Sequence, residues 1–390
     1  MIGPDLSIAD WNTRGLNDQG RKDTVHAFLT DTSCHIACIQ ETKLDQLDQQ
    51  TASYIGGFRL RSFAHRPALG TRGGILLLWN DEHVDISNIH IGTHLFSANV
   101  SVRACGTSFK LTTVYGPSDH GEKESFLTEV TAAKPADDSM WLIIGDFNLI
   151  YRAEDKNNDN LDFRLMGLFR RALTSCQLKE LKLQNRKFTW SNERVNPTLV
   201  RLDRAFCNAA WDLKFEHHVL HALSSSLSDH CPLLLSNQSG PRKPPVFRFE
   251  SFWIKMPGFK DVVQKAWSTP SSHSQPVHVI NHKLKSTASG LRAWSKGLFS
   301  DCKLQLLMAL DVILQLDIAQ ESRPLSHEES WLRANLKRRV KGLAALERSR
   351  KRQASRIRYL HEGDANTKFF HLRVNARKRK NHIMRLRGGD

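Results

Sequence analysis

The sequence predicts an α/β fold of two packed sheets flanked by helices, followed by a basic helical region. Three observations lead to this prediction. Residues 1–240 contain many short apolar runs, rich in β-branched residues and closely spaced, as in buried strands. Few amphipathic helical stretches lie between them, which favours sheets packed on each other with helices outside. Beyond residue 240 the apolar period becomes helical and the composition becomes basic.

The predicted strands share short length and apolar or alternating residues. They cover 6–12, 36–40, 58–63, 74–79, 84–91, 95–103, 108–115, 140–146, 187–190, 199–206, 215–221 and 232–236. Three helices are predicted among them. The first runs from Arg21 to Thr30, the second opens at a capping box of Asp119 and Glu122 and ends near Ala132, and the third covers 162–174.

The net charge changes sign at a Pro- and Gly-rich segment. Residues 1–240 contain 25 Lys and Arg against 28 Asp and Glu, a net charge of −3. Residues 241–390 contain 31 against 12, a net charge of +19. Residues 240–245 have the composition of a linker. We therefore predict a domain at 1–238, a linker at 239–246 and a basic helical region at 247–390 that meets a polyanion.

The basic region has the pattern of a helical hairpin. Leu284, Leu291 and Leu298 recur every seven residues, and Pro324 ends the run. Ser326 and Glu329 then have capping-box spacing. The helix that they open carries five apolar residues on one side, which predicts core packing: Trp331, Leu332, Leu336, Val340 and Leu343.

Cysteine usage and the N-terminus indicate a soluble intracellular protein. The seven cysteines include no Cys-x-x-Cys pair, so neither a zinc site nor a disulfide framework is indicated. Met1–Asp5 do not resemble a signal peptide, and no apolar run approaches the roughly 18 residues of a membrane span. We expect no membrane partner.

Polar residues lie at the same kind of strand edge six times within the first domain. Asp146 and Asn148 follow the buried run 142–145, and each alone would more often cap a turn. The other positions are Asn12, Glu41, Tyr115, Asp203 and the segment 228–232 with Asp229 and His230. If these ends converge, they form an acidic cluster with few local cations. Such a cluster stays ionised only with a hard divalent cation among its carboxylates.

The ordered motifs resemble those of the endonuclease/exonuclease/phosphatase superfamily over about residues 5–237. Gln40-Glu41-Thr42-Lys43, Gly73-Gly74 and Phe188-Thr189-Trp190 most resemble the apurinic-type endonuclease of plant LINE-like non-LTR retrotransposons. The resemblance implies a four-layer α/β sandwich with mainly antiparallel sheets. Residues 247–253 and 363–371 resemble the segment that precedes the reverse transcriptase in those elements. No Tyr/Phe-x-Asp-Asp motif occurs, so we expect the N-terminal part, or a truncated copy, of such a polyprotein.

The resemblance implies a DNA endonuclease that depends on Mg²⁺, with Mn²⁺ as the second candidate metal, and that leaves a 3′-hydroxyl at the nick. Glu41, Asn12 and Asp229 would bind the metal. Arg14 stands where abasic-site repair enzymes of the superfamily carry an acid, which argues against a repair-type metal shell.

The resemblance also implies the remaining roles in catalysis. Asp146, oriented by Asn148, would activate or position water. His230, held by Asp203, would contact the scissile phosphate, and Tyr115 would complete the polar rim. The second-rank substrate contacts would be Ser228, Thr189 and Arg14.

The C-terminal segment predicts nucleic-acid contact, with RNA or DNA. Residues 337–387 contain 18 Lys and Arg and three acids, whereas a merely solvated helix face normally mixes signs. Interleaved aromatic residues could stack on unpaired bases. The candidate contacts are Arg356, Arg358, Arg377, Lys378, Arg379 and Lys380. The last four also fit a nuclear localisation signal, so we expect the nucleus, with the cytoplasm as a second location.

Two other functions stay open at this point. One is a phosphatase of the same superfamily acting on small phosphoesters, for which the +19 region has no use. The other is a catalytically silent nucleic-acid-binding relic of a transposon, which the complete set of catalytic residue types disfavours.

Overall fold

The computed structural model describes residues 4–70, 72–194, 196–237, 253–254, 257–270 and 275–359, with the side chains of 296–304 and 349–359 left out. The strands of these residues are, in chain order, β1 (Ser7–Asn12), β2 (Ile36–Gln40), β3 (Ser62–Leu69), β4 (Arg72–Trp79), β5 (Val84–Ile91), β6 (Leu95–Val102), β7 (Thr107–Tyr115), β8 (Trp141–Asp146), β9 (Lys179–Glu180), β10 (Trp190–Ser191), β11 (Leu199–Val200), β12 (Asp203–Cys207), β13 (His218–Ala222) and β14 (Leu233–Asn237).

Two six-stranded sheets carry most of these strands. The first has the order β13-β14-β1-β2-β4-β3 and the second β5-β6-β7-β8-β12-β9, while β10 and β11 form a separate two-stranded ribbon. Neighbouring strands pair antiparallel except β1 with β2 and β7 with β8, which are parallel. The predicted α/β class with mainly antiparallel sheets is therefore confirmed.

The helices of the described residues are α1 (Gln19–Thr32), α2 (Gln49–Gly56), α3 (Lys123–Ala132), α4 (Phe163–Ser175), α5 (Ala209–Lys214), α6 (Phe259–Trp267), α7 (Pro276–Gln320) and α8 (His327–Tyr359). Two 3₁₀ turns cover His120–Glu122 and Ala153–Asp155. No described helix combines the length and the apolar composition that a membrane-spanning segment requires.

Three apolar clusters make the layers of the sandwich. The central one lies between the inner faces of the two sheets and includes Ile8 of β1 and Ile144 of β8. The alternate residues of the same strands face outwards: Ala9 packs with α1 and α2, and Ile143 packs with α3 and α4. The order is helices, sheet, sheet, helices, as expected for a four-layer α/β sandwich.

Several element predictions need correction. The sequence reading missed α2 and α5, and it placed strands over 58–63 and 215–221 where the sheet pairing begins only at Ser62 and His218. It also read 199–206 as one strand, which the structure divides between β11 and β12. The residues next to these helices are apolar enough to resemble strands, which is why strands were predicted there. Asp119 caps the 3₁₀ turn at Gly121 and does not form a capping box for α3.

The predicted helical hairpin is present. α7 and α8 pack through Leu306, Ile313 and Val340, and Ser326 and Glu329 exchange the two hydrogen bonds of a capping box. Trp331 and Leu332, predicted on the apolar side, are 63% and 39% exposed, because the packed side begins at Leu336.

Contacts divide the chain into two compact units. The first consists of Met1–Pro244 together with Cys302–Ala345. We call the part Cys302–Ala345 the docked hairpin. The second consists of Pro245–Asp301 and Leu346–Asp390, where α6 packs on α7 through Phe259 and Trp294. The predicted linker lies outside the described residues, so the boundary at 239–246 stays a prediction. The docked hairpin, however, belongs with the sheets and not with the rest of the predicted basic region.

Candidate active site

The polar strand ends of both sheets meet at one place. In the second sheet Asp146 lies opposite Tyr115 on one side and Asp203 on the other, so β7, β8 and β12 deliver three polar side chains together. In the first sheet Asn12 lies opposite Gln40, immediately before Glu41. Asn12 Nδ2 donates to Asp146 Oδ2 over 2.9 Å and joins the two sets. The convergence expected from the sequence is therefore present.

Gly145 makes this convergence sterically possible. Its φ is 146°, and an added Cβ would lie 2.2 Å from the carbonyl oxygen of Val114 on the neighbouring strand. Any side chain here would push β7 and β8 apart directly beside Asp146.

His230 lies between two buried carboxylates. Its Nδ1 is 2.9 Å from Asp203 Oδ2, and its Nε2 is 3.8 Å from Asp146 Oδ2. The first distance is a hydrogen bond in which Nδ1 carries the proton; the second is too long for one. Nε2 and the Asp146 carboxylate therefore do not hydrogen-bond each other, and a substrate oxygen or a water beside them can be contacted by both.

Burial and mutual charge set the protonation of this group. Burial raises the pKa of Asp146, and the nearby Asp203 raises it further against the opposing effect of His230. Burial alone would lower the pKa of His230, but the carboxylates of Asp203 and Asp146 outweigh it and raise that pKa. The imidazole is therefore positively charged at neutral pH.

Asn148 orients the Asp146 carboxylate, as predicted for its position. Its backbone N–H donates to Asp146 Oδ1 over 2.9 Å, and its side-chain amide donates to the carbonyl of Gly116 over 2.8 Å. Asn148 has a positive φ of 50°, a conformation that asparagine tolerates better than most residues. Its side-chain amide also lies 3.3 Å from Asp146 Oδ2, so both carboxylate oxygens are held by Asn148.

Glu41 and Tyr115 lie at the rim of the cluster. The Glu41 carboxylate is 17% exposed and 3.0 Å from Lys43 Nζ. Burial and the carboxylates of Glu41 and Asp146 raise the pKa of Tyr115, so its hydroxyl keeps its proton and can donate. Glu41 and Lys43 both have positive φ, as functional loops held by their surroundings often do.

Asp229 is engaged by protein groups. Its carboxylate accepts from the Arg14 guanidinium and from Trp190 Nε1, the latter over 3.0 Å. The sequence-based expectation of few local cations is therefore wrong, because Arg14 and Lys43 balance part of the acidic charge. The role of Asp229 as a metal ligand stays a prediction, with Arg14 already at that carboxylate.

The two second-rank hydroxyls are buried beneath the site. Thr189 Oγ1 accepts from the backbone N–H groups of Leu202 and Asp203, each over 3.0 Å. Ser228 Oγ accepts from the N–H of His230 over 3.1 Å. Both hydroxyls brace backbone that carries the His230–Asp203 pair, whereas the sequence reading expected them to contact substrate. Arg14, 58% exposed, is the one of the three that reaches the surface.

Four further residues support the site, and the sequence reading gave them no role. The indoles of Trp11 and Trp190 donate to the His230 carbonyl and to Asp229. Lys123 Nζ, on the buried side of α3, donates to the carbonyl of Asn148 over 2.6 Å. Asp10 is fully buried, and burial raises its pKa well above the ordinary value. The only sequence signal was a charged residue at Asp10 and at Lys123 among apolar neighbours.

The rim offers the ligands that a hard divalent cation prefers. The Glu41 carboxylate lies 3.0 Å from Lys43 Nζ, and the buried Asn12 amide oxygen accepts from the Arg14 N–H over 3.0 Å. Carboxylate and amide oxygens are the donors typical of Mg²⁺ sites. Asp146, Asp203 and His230 also place ligand atoms within 4.8 Å of one another. Because His230 and Asp203 already hydrogen-bond each other, and imidazole suits softer metals, this second group fits proton transfer better.

The six predicted nucleic-acid contacts of the basic region, Arg356, Arg358, Arg377, Lys378, Arg379 and Lys380, lie outside the residues whose side chains are described. They stay predictions.

Comparison with known proteins decides the family. Residues 11–230, more than half of the chain, match the endonuclease/exonuclease/phosphatase family. The chain belongs to this family. Its members are phosphoester hydrolases, so the chain is by class a hydrolase, and the six strand-end motifs fall within or at the edge of the matched region.

Among individual proteins, this chain is similar to the transposon TX1 uncharacterized 149 kDa protein of Xenopus laevis, with 22% identity over 387 residues. The match covers 94% of this chain and 29% of that protein. In structure it is similar to the AP endonuclease LMAP from Leishmania major (14% identity, 61% of this chain, 89% of that chain, TM-score 0.48). It is also similar to the endonuclease domain of TRAS1, a telomere-specific non-LTR retrotransposon (15% identity, 61% of this chain, 100% of that chain, TM-score 0.45).

Proposed function

We propose that this hydrolase is a Mg²⁺-dependent DNA endonuclease that nicks one strand and leaves a 3′-hydroxyl. The observation that carries the proposal is the Asp203–His230 pair facing Asp146 across 3.8 Å. A positive donor and a carboxylate acceptor side by side are the groups that hydrolysis of a phosphodiester needs.

Each residue has a defined task in this mechanism. Asp146, fixed by Asn12 and Asn148, accepts the proton of the attacking water. The His230 imidazolium, whose charge Asp203 maintains, donates to a non-bridging oxygen as negative charge builds on the phosphate. Tyr115 keeps its proton and donates a hydrogen bond to the same oxygens. The bond from phosphorus to the 3′-oxygen breaks as the water oxygen bonds to phosphorus, and the 3′-oxygen takes a proton from solvent water.

Glu41 and Asn12 would hold the metal ion, and Mn²⁺ would fit the same oxygen donors. When bound, the ion would neutralise phosphate charge and lower the pKa of water. Arg14, at the rim, would contact a second phosphate of the same strand and would exchange part of its interaction with Asp229 for that contact.

Three features support a nucleic-acid substrate. The chain carries a net charge of +16, concentrated beyond residue 240. Its relative from Xenopus laevis is named as a transposon protein. The exposed guanidinium of Arg14 gives the rim a phosphate-binding group. We propose that the basic region holds DNA or RNA and that the protein works in the nucleus.

Conversion of supercoiled plasmid to nicked circle, with Mg²⁺ or with EDTA, tests the proposal. We expect nicked circles with Mg²⁺ only, and ends that a DNA polymerase extends without prior phosphatase treatment. A parallel assay for phosphate release from small phosphoesters tests the phosphatase alternative. Intact plasmid in Mg²⁺, or equal nicking in EDTA, contradicts the proposed function.

A further inference from the structure

The segment Arg186–Glu193, which we call the bracing segment, connects the active site with the docked hairpin. On its active-site side it holds both members of the His230–Asp203 pair. Thr189 Oγ1 accepts from the Asp203 N–H, and the Thr189 carbonyl accepts from the Cys231 N–H over 2.8 Å. Trp190 donates to the side chain of Asp229, and the Ser191 N–H donates to its carbonyl over 3.1 Å.

The docked hairpin holds the bracing segment at its first end through two acids, Asp317 in the last turns of α7 and Glu321 directly after it. Glu321 accepts from Arg186 Nε over 3.1 Å and from the backbone N–H groups of Lys187 and Phe188. Asp317 Oδ2 lies 3.4 Å from Arg186 Nη1. The side chains of Arg186, Asp317 and Glu321 are each 8% exposed or less. Removing any one of them would therefore leave a buried charge without its partner.

At the other end the signs are reversed. Glu193 accepts from Arg333 Nη1 over 2.7 Å, from Arg333 Nη2 over 3.0 Å and from Lys337 Nζ over 2.8 Å. Burial alone would raise the pKa of Glu193, but Arg333 and Lys337 lower it to about 2. Arg333 Nε also donates to Asp317 over 2.7 Å, which links the two ends.

Regular secondary structure contributes little to the bracing segment. Its strand β10 pairs with β11 over two residues only, and a ribbon of that length is marginal alone. Thr189 and Trp190 are therefore held by a few backbone hydrogen bonds, such as that from the Thr189 N–H to the Val200 carbonyl over 3.0 Å, and by the flanking ion pairs with the docked hairpin.

We propose that the docked hairpin is a positioning element for the active site: through Glu193 and Arg186 it fixes the bracing segment, and this segment fixes Asp203, Asp229 and His230. The inference rests on the proposed function for its catalytic consequence only. It makes Glu193 and Lys337 positioning residues for catalysis. Lys337 lies far beyond the family match at 11–230.

A charge exchange in the full chain tests this. Glu193→Lys places three cations together, and we expect kcat for plasmid nicking to fall about tenfold or more with KM changed less than about twofold, because a small misplacement of reacting groups costs that much. The double variant Glu193→Lys/Lys337→Glu restores opposite signs and should recover kcat to within about threefold. The control is Glu124→Lys, which breaks the exposed pair with Arg164 on α3 and α4 and should leave kcat unchanged.

Hydrogen exchange measured by mass spectrometry separates this inference from the proposed function. In Glu193→Lys, peptides covering 201–207 and 226–233 should exchange faster than in the wild type, and the double variant should reverse the change, whether or not the wild type nicks DNA. If Glu193→Lys unfolds, Glu193→Gln takes its place with the same expected directions. A folded Glu193→Lys variant with wild-type kcat and wild-type hydrogen exchange overturns the inference. So does a loss of kcat that the double variant does not restore.

Discussion

At the scale of single residues, Asp146 and His230 carry the chemistry. We expect Asp146→Asn and His230→Ala each to lower the rate of plasmid nicking by at least about a hundredfold, since positioned acid–base groups contribute 10²–10⁴. Thermal unfolding followed by circular dichroism checks that the variants fold. His217→Ala, an exposed histidine, is the matched control. Nicking near the wild-type rate by either folded variant would contradict the assignment.

The pH dependence follows from the same two groups. Burial raises the pKa of Asp146 to about 6, and the carboxylates around His230 raise its pKa to about 10 against the effect of burial. Asp146 must be ionised and His230 protonated, so kcat should rise as pH increases through about 6 and fall as pH increases through about 10. Initial rates at saturating DNA, between about pH 5 and 11, measure the profile.

The alkaline limb has a counterpart in stability. Because the pKa of His230 is raised in the folded state, the stabilisation from its ion pairs is complete below its unfolded pKa of about 6.5 and is lost as pH rises through about 10. His230→Asn should lack this loss. Urea unfolding at several pH values measures this loss of stability. A wild-type rate of plasmid nicking that stays constant up to pH 11 would contradict the assignment of the alkaline limb to His230.

We expect the Mg²⁺ dependence of plasmid nicking to rely on Glu41. Glu41→Gln removes a charged oxygen ligand but keeps the shape, so we expect a higher Mg²⁺ concentration for half-maximal nicking. A Mg²⁺ titration of the nicking rate measures the shift, and Glu82→Gln, an exposed acid, is the control. Unchanged Mg²⁺ dependence in Glu41→Gln would remove this residue from the metal site.

At the scale of elements, the junction of β7 and β8 should tolerate no side chain at position 145. Gly145→Ala adds a Cβ that would lie 2.2 Å from the Val114 carbonyl oxygen, in a backbone conformation that L-residues rarely adopt. We expect a loss of at least about 2 kcal/mol in the free energy of unfolding. Urea unfolding measures it.

Gly342→Ala is the matched control for this substitution. Nothing lies within 4 Å of an added Cβ at position 342, which is part of α8. Alanine there should stabilise the helix by about 0.5–1 kcal/mol. Equal effects of the two substitutions would mean that the strand junction has more room than the structure indicates.

At the scale of the whole molecule, nucleic-acid affinity should depend on the basic C-terminal segment. Replacing Arg377, Lys378, Arg379 and Lys380 by Gln should weaken DNA binding and flatten its salt dependence, by about 0.7–0.9 log units per log unit of salt for each lost phosphate contact. Filter binding at several salt concentrations measures both. Four exposed cations of the sandwich serve as the matched control set: Arg61, Arg103, Arg170 and Lys214. A larger effect from the control set would place the nucleic-acid surface on the sandwich.

The sequence by itself determined the class of fold and most of the site. Strands such as β1, β2 and β8 were predicted because each is a short apolar run that ends at a Gly, a turn or a polar residue. Asp146 was identified because it ends the buried run of β8, and Asp203 and His230 because their short motifs resemble those of the family. The helices α2 and α5, of eight and six residues, are too short to give a comparable signal.

Only the tertiary structure decided which polar residues touch. No spacing in the sequence indicates that Arg14 pairs with Asp229, that Thr189 lies under Asp203, or that the charged positions of the hairpin meet the bracing segment. The physical reason is that periodicity reports the buried side of an element, whereas the pairing of charges depends on which elements pack together. For that reason the boundary at 239–246, predicted from composition and net charge, separated the docked hairpin from the compact unit to which it belongs.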